Sequence, residues 1–232
     1  MTDEKAKHVA LILDGNRRWA KNKGLMAWDG HRAGFKKLKE LFKWARELNI
    51  KELSMYCFST QNFNRDPKEI KFLMDIFEKA AKDIIDDKEI HENKVKVRFI
   101  GRLNMLPERV QVAAKKAMEA TKNYNDYIVN FCVAYGGREE IVDGINKVIK
   151  DVKEGKIDKV DDESFKNYLY INSDPDIVIR TSGEYRLSNY LTWHTTYSEW
   201  FFLEKQWPDF SKEDLIDCLA KFTGERQRRF GS

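Results

Sequence analysis

The feature that most constrains this sequence is a series of short apolar runs separated by stretches with helical spacing. The runs are Val9–Leu13, Leu53–Phe58, Val95–Ile100, Ile128–Ala134 and Ile177–Ile179, with a weaker sixth at Trp200–Leu203. A strand with one wet face alternates apolar and polar residues, whereas a strand covered on both faces reads as a nearly continuous apolar run. Between the runs, Phe35, Leu38, Leu41, Phe42, Ala45 and Leu48 recur at intervals of three and four, as do Ile70, Leu73, Met74, Phe77, Ala81 and Ile84. Further helices are expected at Pro107–Thr121, with Pro107 at the first helical position, and at Arg138–Val152 and Ser164–Tyr170. Ser211, followed by Asp214, is expected to cap a last helix. Buried strands separated by helices imply crossovers and a parallel sheet. The expected fold is therefore α/β: a single domain over residues 1–232, with a mostly parallel central sheet of about six strands flanked by helices. A length of 232 residues suits one such core.

Composition narrows the function classes. Lys and Arg number 42 against 38 Asp and Glu, a net charge of +4. The arginines sit in separate loops rather than in a basic stripe with stacking aromatics, so no nucleic-acid partner is expected. The longest apolar run is Val9–Leu13, far short of the ~20 residues of a membrane span. The opening residues MTDEKAK do not read as a signal peptide, and a cytoplasmic location is expected. Cys57, Cys132 and Cys218 are scattered without a CxxC and are expected to be reduced.

In a parallel sheet, ligands bind beyond the carboxyl ends of the strands. Four of the segments there are short, polar and rich in Gly, Arg or hydroxyls: Asp14 to Trp19, Ser59 to Arg65, Tyr135 to Arg138, and Arg180 to Asn189. Together they suggest one site for a multiply charged anion. Arg17, Arg18, Arg65, Arg180 and Arg186 suit phosphate because a guanidinium donates two parallel hydrogen bonds and stays charged. Gly15 and Gly183 let backbone amides approach phosphate oxygens. His31, expected at the start of a helix from Arg32 to Leu48, is a further phosphate donor. Asp14 could hold Mg²⁺, which takes one or two carboxylates plus substrate phosphate oxygens. Glu199 is a weaker second candidate. Neither a P-loop nor a dinucleotide fingerprint is present. If the helices at Gly34–Leu48 and Ile70–Ile85 stood slightly apart, they would leave an apolar tunnel beneath the phosphate loops, with Met55 and Cys57 on its wall.

The order of motifs resembles the cis-prenyltransferases, the undecaprenyl diphosphate synthase family. The matching segments are His8-Val9-Ala10 through Asp14-Gly15-Asn16-Arg17-Arg18-Trp19-Ala20; Gly30-His31-Arg32-Ala33-Gly34; Tyr56 through Phe58-Ser59-Thr60-Gln61-Asn62; Tyr135-Gly136-Gly137-Arg138; Asp174-Pro175-Asp176 through Arg180-Thr181-Ser182-Gly183-Glu184 and Arg186-Leu187-Ser188-Asn189; Trp207-Pro208-Asp209-Phe210; and Arg226 through Arg228-Arg229-Phe230-Gly231. Arg17 resembles archaeal and eukaryotic members more than most bacterial ones. The resemblance implies that an allylic prenyl diphosphate binds at Gly15, Asn16, Arg18 and His31. It implies that isopentenyl diphosphate binds at Arg180, Arg186 and Ser188. It implies that Asp14, with Glu199, manages Mg²⁺ and that the allylic diphosphate leaves as the alkene carbon attacks. Ser59, Asn62 and Arg65 match residues near the reacting centre, with Asn62 a candidate for aiding proton removal. Arg17, Trp19, Thr60, Gln61 and Phe63 belong to the same substrate-binding motifs. A homodimer is implied, with the Arg229-Phe230-Gly231 tail reaching toward the neighbouring site, and so is peripheral membrane contact if the product is long.

Three positions depart from the family pattern. Ala27 stands where many members carry an arginine, Gln61 replaces a common glutamate and Phe63 a common tryptophan. They leave open the allylic primer, the chain length and a non-head-to-tail joining of two allylic units of the lavandulyl type. A non-catalytic partner subunit is a remote alternative, because Asp14, Arg18, Arg180 and Arg186 are all retained.

Overall fold

The structure, a computed structural model, describes residues 5–224. Strands β1 (His8–Ile12), β2 (Glu52–Ser59), β3 (Val95–Ile100), β4 (Tyr127–Tyr135), β5 (Ile177–Thr181) and β6 (Glu199–Leu203) form one sheet in the order β3-β4-β2-β1-β5-β6. Every pairing is parallel. Each strand coincides with an expected run, give or take one or two residues. All five residues of β1 are buried, and they divide between the two faces. Val9 and Leu11 join the larger core, while Ala10 and Ile12 join a second one with Tyr135, Val178 and Tyr190. Burial on both sides is why β1 is apolar from Val9 to its end.

The larger core is covered by α2 (Ala27–Glu47), α3 (Pro67–Ile85), α5 (Glu108–Ala120) and α8 (Lys212–Gly224). On the other face α6 (Gly137–Lys153) presents the buried Glu140, whose carboxylate accepts from Tyr135 Oη and from the Tyr170 amide at 2.8 Å. The Cα register runs Ile12↔Arg180 across β1 and β5. From β1 the chain crosses toward β2, and from β5 it crosses the other way toward β6, so the carboxyl ends of β1 and β5 open a crevice between diverging connections.

Several helix boundaries differ from the sequence reading. α2 begins at Ala27 rather than Arg32, which puts His31 in its second turn. Asp29 closes that start by accepting the Met26 amide at 3.2 Å. α3 begins at Pro67, capped by Asp66, whose carboxylate accepts the Lys68 and Glu69 amides. Pro107 precedes α5 with extended ψ instead of starting it. The helix expected at Ser164–Tyr170 is split into α7 (Asp162–Phe165) and a 3₁₀ turn, Lys166–Tyr168, because Leu169 turns extended and Tyr170 bonds to Glu140 instead. Asn16–Asn22, expected as a loop, forms α1; α4 (Lys88–Glu92) was not expected either. Only Ala20 of α1 is buried, so the segment has no apolar stripe to reveal it. Ser211 does cap α8, exchanging hydrogen bonds with Asp214.

Glycines allow α1 and α2 to touch. A Cβ at Gly30 would lie 2.0 Å from the Asn16 carbonyl oxygen, and one at Gly34 2.2 Å from Asn16 Oδ1. Trp207 Nε1 donates to the Gly34 carbonyl at 2.9 Å, locking the same point from the carboxyl-terminal side. Gly34→Ala is therefore expected to destabilise the fold by about 1–3 kcal/mol through overpacking. Urea unfolding checks this; an unchanged midpoint would mean that the two helices do not approach so closely.

Candidate active site

The crevice is the mouth of a cleft of about 890 Å³. Its first wall is the turn after β1. Gly15 adopts φ 102°, a left-handed conformation natural to glycine, and its amide donates to Asp14 Oδ1 at 2.8 Å. The Asp14 carbonyl accepts from Thr181 Oγ1 at 2.7 Å and from the Trp207 amide at 3.0 Å. The Asp14 backbone is thus fixed from two other segments. Its Oδ2 accepts from Arg180 Nη2 at 3.0 Å and lies 3.5 Å from Arg18 Nη2.

Arg180 is a strand residue, the fourth of β5, and only 3% exposed. A buried guanidinium must have its donors satisfied. Nη1 donates to Ser188 Oγ at 2.8 Å and to the Arg186 carbonyl. Its Nε is buried with no partner among the described residues. Ser188, Asn189 and Leu191 adopt positive φ, strained for side-chain-bearing residues, and such strain collects where a loop serves a site. Glu184 accepts from Arg18 Nη1 at 3.0 Å and from Arg186, spanning the two halves of the cleft.

The opposite wall carries His31, Ser59, Gln61, Asn62 and Arg65. His31 Nε2 lies 3.0 Å from Glu69 Oε1, and burial lowers the ring's pKa despite that carboxylate. Asn62 Oδ1 accepts the Ser59 amide at 3.0 Å, so its carbonyl oxygen is already engaged and its NH₂ is the group left to donate. This fits a positioning role better than proton abstraction. A break in register between Tyr56 and Ser59 marks a bulge at the end of β2, and Tyr56, Cys57 and Phe58 all reach the cleft. Burial pushes the Cys57 thiol up to about 12, so it lines the wall as an uncharged group.

Asp14, Gly15, Asn16, Arg17, Arg18, Arg186 and Ser188 share this cleft as expected. Four residues do not. Trp19 sends its Nε1 to Asp209 Oδ1 at 2.7 Å, Thr60 donates to Glu139 Oε1 at 2.8 Å, and Phe63 packs edge-on against Phe58 at 4.9 Å. Glu199 begins β6 in register with Ile177, three residues before Arg180 and about 10 Å back along the strand. It therefore stands at the amino-terminal edge of the sheet, and one chain does not bring it to Asp14. The Arg226–Gly231 motif lies outside the described residues. Among the described residues no group of three or more His, Cys, Asp or Glu could hold a metal. Among the described residues Asp14 is the one carboxylate that lines the cleft, which fits an ion such as Mg²⁺ that would complete its shell from substrate oxygens and water.

Beneath the polar rim the floor is apolar, with Ile12, Leu13, Phe58 and Leu73. A second cavity of about 280 Å³ lies further along α2 and α3, lined by Phe35, Leu38, Phe42, Leu53, Ile84 and Phe131 among others, and shares no lining residue with the cleft. The two spaces are separate, so the expected continuous tunnel beneath the loops is not what the structure shows. Met55, expected on the tunnel wall, is instead fully buried in the larger core with Met74, whereas Cys57 does line the cleft.

The family model described as "Putative undecaprenyl diphosphate synthase" matches residues 12–231. The chain belongs to this family. It is a cis-prenyltransferase by that membership, and its similarities run its whole length. The geranylgeranyl-diphosphate-specific tritrans,polycis-undecaprenyl-diphosphate synthase of Thermococcus kodakarensis is 47% identical over 229 residues, 97% of this chain and 86% of the relative. The enzyme of that name from Methanocaldococcus jannaschii is 46% identical over 235 residues, covering 99% and 84%. Among solved structures, lavandulyl diphosphate synthase from Lavandula x intermedia in complex with dimethylallyl diphosphate superposes with a TM-score of 0.90 at 35% identity, covering 98% of this chain and 99% of that one. A probable undecaprenyl diphosphate synthase from Campylobacter jejuni gives 0.81 at 30%, covering 99% and 100%.

The residues that sequence reasoning missed are carboxylates that hold the site's side chains: Glu69 and Glu184 pair with its arginines, and Glu139 accepts from Thr60 and Asn189. Glu69 had a local signal, four positions after Arg65, where helical neighbours meet. Trp19→Phe is expected to cost about 1 kcal/mol of stability by removing its bond to Asp209 while leaving substrate KM values unchanged. A raised KM with unchanged thermal stability would return Trp19 to the substrate site.

Proposed function

We propose that the whole chain acts as one Mg²⁺-dependent catalytic domain that condenses isopentenyl diphosphate with an allylic prenyl diphosphate to give a Z-polyprenyl diphosphate. The observation that carries this is the meeting of Asp14 and Arg180 between two cationic groups in one cleft with an apolar floor. Arg17, Arg18, His31 and Arg65, with the amide-bearing turn at Gly15 and Asn16, form the allylic diphosphate site. Arg180, Arg186 and Ser188 form the isopentenyl diphosphate site. The identity to the archaeal relatives supports geranylgeranyl diphosphate as the primer.

In this reading the allylic diphosphate departs as the terminal alkene carbon of isopentenyl diphosphate bonds to the allylic carbon. Loss of a proton then creates the cis double bond. Mg²⁺ held by Asp14 and phosphate oxygens would neutralise charge on the departing diphosphate. The arginines stabilise the same charge from fixed positions. Asn62 and Ser59 orient groups at the reacting centre, and the apolar floor receives the growing chain and keeps water away.

A second reading, joining of two allylic units, is favoured by the close fit to lavandulyl diphosphate synthase. Ala27 and Gln61, two of the departures from the family pattern, line the cleft. The retained Arg180, Arg186 and Ser188 favour elongation. Products from labelled isopentenyl diphosphate with dimethylallyl, farnesyl or geranylgeranyl diphosphate decide the matter. Long Z products that require isopentenyl diphosphate support the first reading; a short branched product from dimethylallyl diphosphate alone overturns it. Asp14→Ala is expected to lower turnover by about 10²-fold or more with the fold intact by circular dichroism, and EDTA to abolish it. Near-normal turnover in that variant would remove Asp14 from the mechanism.

A homodimer belongs to the same reading. Val142, Ile145, Ile149 and Val152 of α6 recur at intervals of three and four, and each is nearly half exposed. Such a stripe on one helix face suits a second copy. Ile145→Lys with Ile149→Lys is expected to convert a dimer to a monomer in sedimentation; a monomeric parent protein would overturn the assignment. Peripheral contact with a membrane is supported by Leu25, Met26 and Trp28, exposed at the lip of the cleft beside Lys21 and Lys23. A cytoplasmic setting agrees with the free thiols of Cys57, Cys132 and Cys218.

A further inference from the structure

Glu69 carries no role in the reaction as described, yet three cationic or ionisable groups of the cleft converge on it. It lies in the first turn of α3 and is 8% exposed. Its Oε1 accepts from Arg65 Nη1 at 3.0 Å and lies 3.0 Å from His31 Nε2. Its Oε2 lies 3.9 Å from Arg17 Nε. These partners come from three different segments: Arg17 from α1, His31 from α2, and Arg65 from the end of the turn after β2. A buried carboxylate is stable only with such partners, and here one carboxylate satisfies its own need by tying three segments together.

The pairing also decides what His31 offers to a ligand. A carboxylate only accepts, so the ring nitrogen facing it carries the hydrogen. That assigns the proton of the neutral ring to Nε2. Nδ1, which has no hydrogen-bond partner among the described residues, is then the atom left toward the cleft, and it can donate to a phosphate once the ring is protonated. Arg17 and Arg65 flank the ring and oppose its protonation, whereas Glu69 favours it. When a diphosphate enters, its charge and that of Glu69 act together on an imidazolium, which can donate through Nδ1.

We propose that Glu69 is a positioning residue of the allylic diphosphate site, holding His31, Arg65 and Arg17 in place and fixing the His31 ring with Nδ1 toward the phosphates. This rests on the reading of those three residues as that site. Groups held at fixed spacing before the ligand arrives lose less freedom on binding it. Glu69 itself would repel the substrate if it touched it; its effect passes through its partners.

The test compares steady-state constants for geranylgeranyl diphosphate and isopentenyl diphosphate in the parent, Glu69→Gln, Glu69→Asp, His31→Ala, Arg65→Ala and the Glu69→Gln/His31→Ala double variant. Glu69→Gln is expected to raise the allylic KM about tenfold, the size expected of a charge-assisted contact, with a smaller change in kcat and an isopentenyl diphosphate KM within about twofold. Glu69→Asp should recover part of the loss, because it keeps the charge. The double variant should lose clearly less than the product of the two single losses, because Glu69 acts in part through His31. Three outcomes overturn the proposal: an unchanged allylic KM in Glu69→Gln while His31→Ala or Arg65→Ala raises it; equal losses for both substrates with a lowered melting temperature; or a fully additive double variant. If neither His31→Ala nor Arg65→Ala raises the allylic KM, the assignment of the site itself fails.

Discussion

The contact between Asp14 and Arg180 is the constraint on which the rest of the site depends. Arg180 is buried in a strand, where an unpaired guanidinium would be costly. Asp14, Ser188 and the Arg186 carbonyl together share its charge and donors. That sharing draws the turn after β1 and the loop after β5 to one point. The backbone of Asp14 is tied in turn to Thr181 and Trp207, and Trp207 reaches back to Gly34 in α2. A chain of short polar contacts thus runs from the sheet edge to the helix that carries His31. The strained residues of the 188–191 loop are held by Arg180 at Ser188 Oγ, by Tyr56 Oη at the Ser188 carbonyl and by the Gly137 amide at the Asn189 carbonyl.

The two faces of the sheet serve different ends. The larger core lies under α2 and α3 and contains the apolar spaces. The other face is packed with polar groups near the amino ends of the strands. His8 Nε2 meets Ser54 Oγ at 2.8 Å, and Asn130 Nδ2 donates to Glu52 Oε1 at 2.6 Å and Ser54 Oγ at 2.9 Å. His194 lies between Glu140 and Asp174; burial alone would lower its pKa, but the two carboxylates outweigh burial and raise it. This network fixes register at the end of the sheet remote from the cleft. A polar interior there is compatible with a largely apolar floor at the other end, because each charged member has a partner within reach.

The inner strands were legible because burial on both faces demands an apolar run, and such runs leave few other readings; the edge strands β3 and β6 are less fully buried and their signals were weaker. α2 and α3 were legible from their stripes, but not where they start. Asp29 and Asp66 set those starts through single carboxylate-to-amide bonds, which the apolar pattern does not register. α1 was invisible for the same reason: one buried alanine makes no stripe. In the site, the cations were legible from their places after strands, since they share one requirement, a phosphate. The carboxylates that arrange them were less so: Glu69, though four positions after Arg65, also meets His31 and Arg17, which lie far from it in sequence, and Glu184 reaches Arg18 across the chain. Thr60, Phe63 and Trp19 belong to motifs that touch the cleft, yet their side chains turn away to bind Glu139, Phe58 and Asp209. Motif membership locates a segment; only packing decides which of its side chains faces the ligand. Glu199 shows the same limit at the scale of a strand, since preceding an apolar run places it at the amino-terminal edge of the sheet, away from Asp14 of its own chain.

The parallel topology also sets a timetable. Asp14 and Arg180 are 166 residues apart in the chain. At the usual pace of synthesis, about 5–20 residues per second, Arg180 follows Asp14 off the ribosome by roughly 10–30 s. During that interval β1 can pair with β2 on one side, but its other edge has no strand to meet. An apolar strand with an open edge is a site for mispairing until β5 arrives. The centre of the sheet, which the finished protein protects best, is therefore its most exposed part while the molecule is being made.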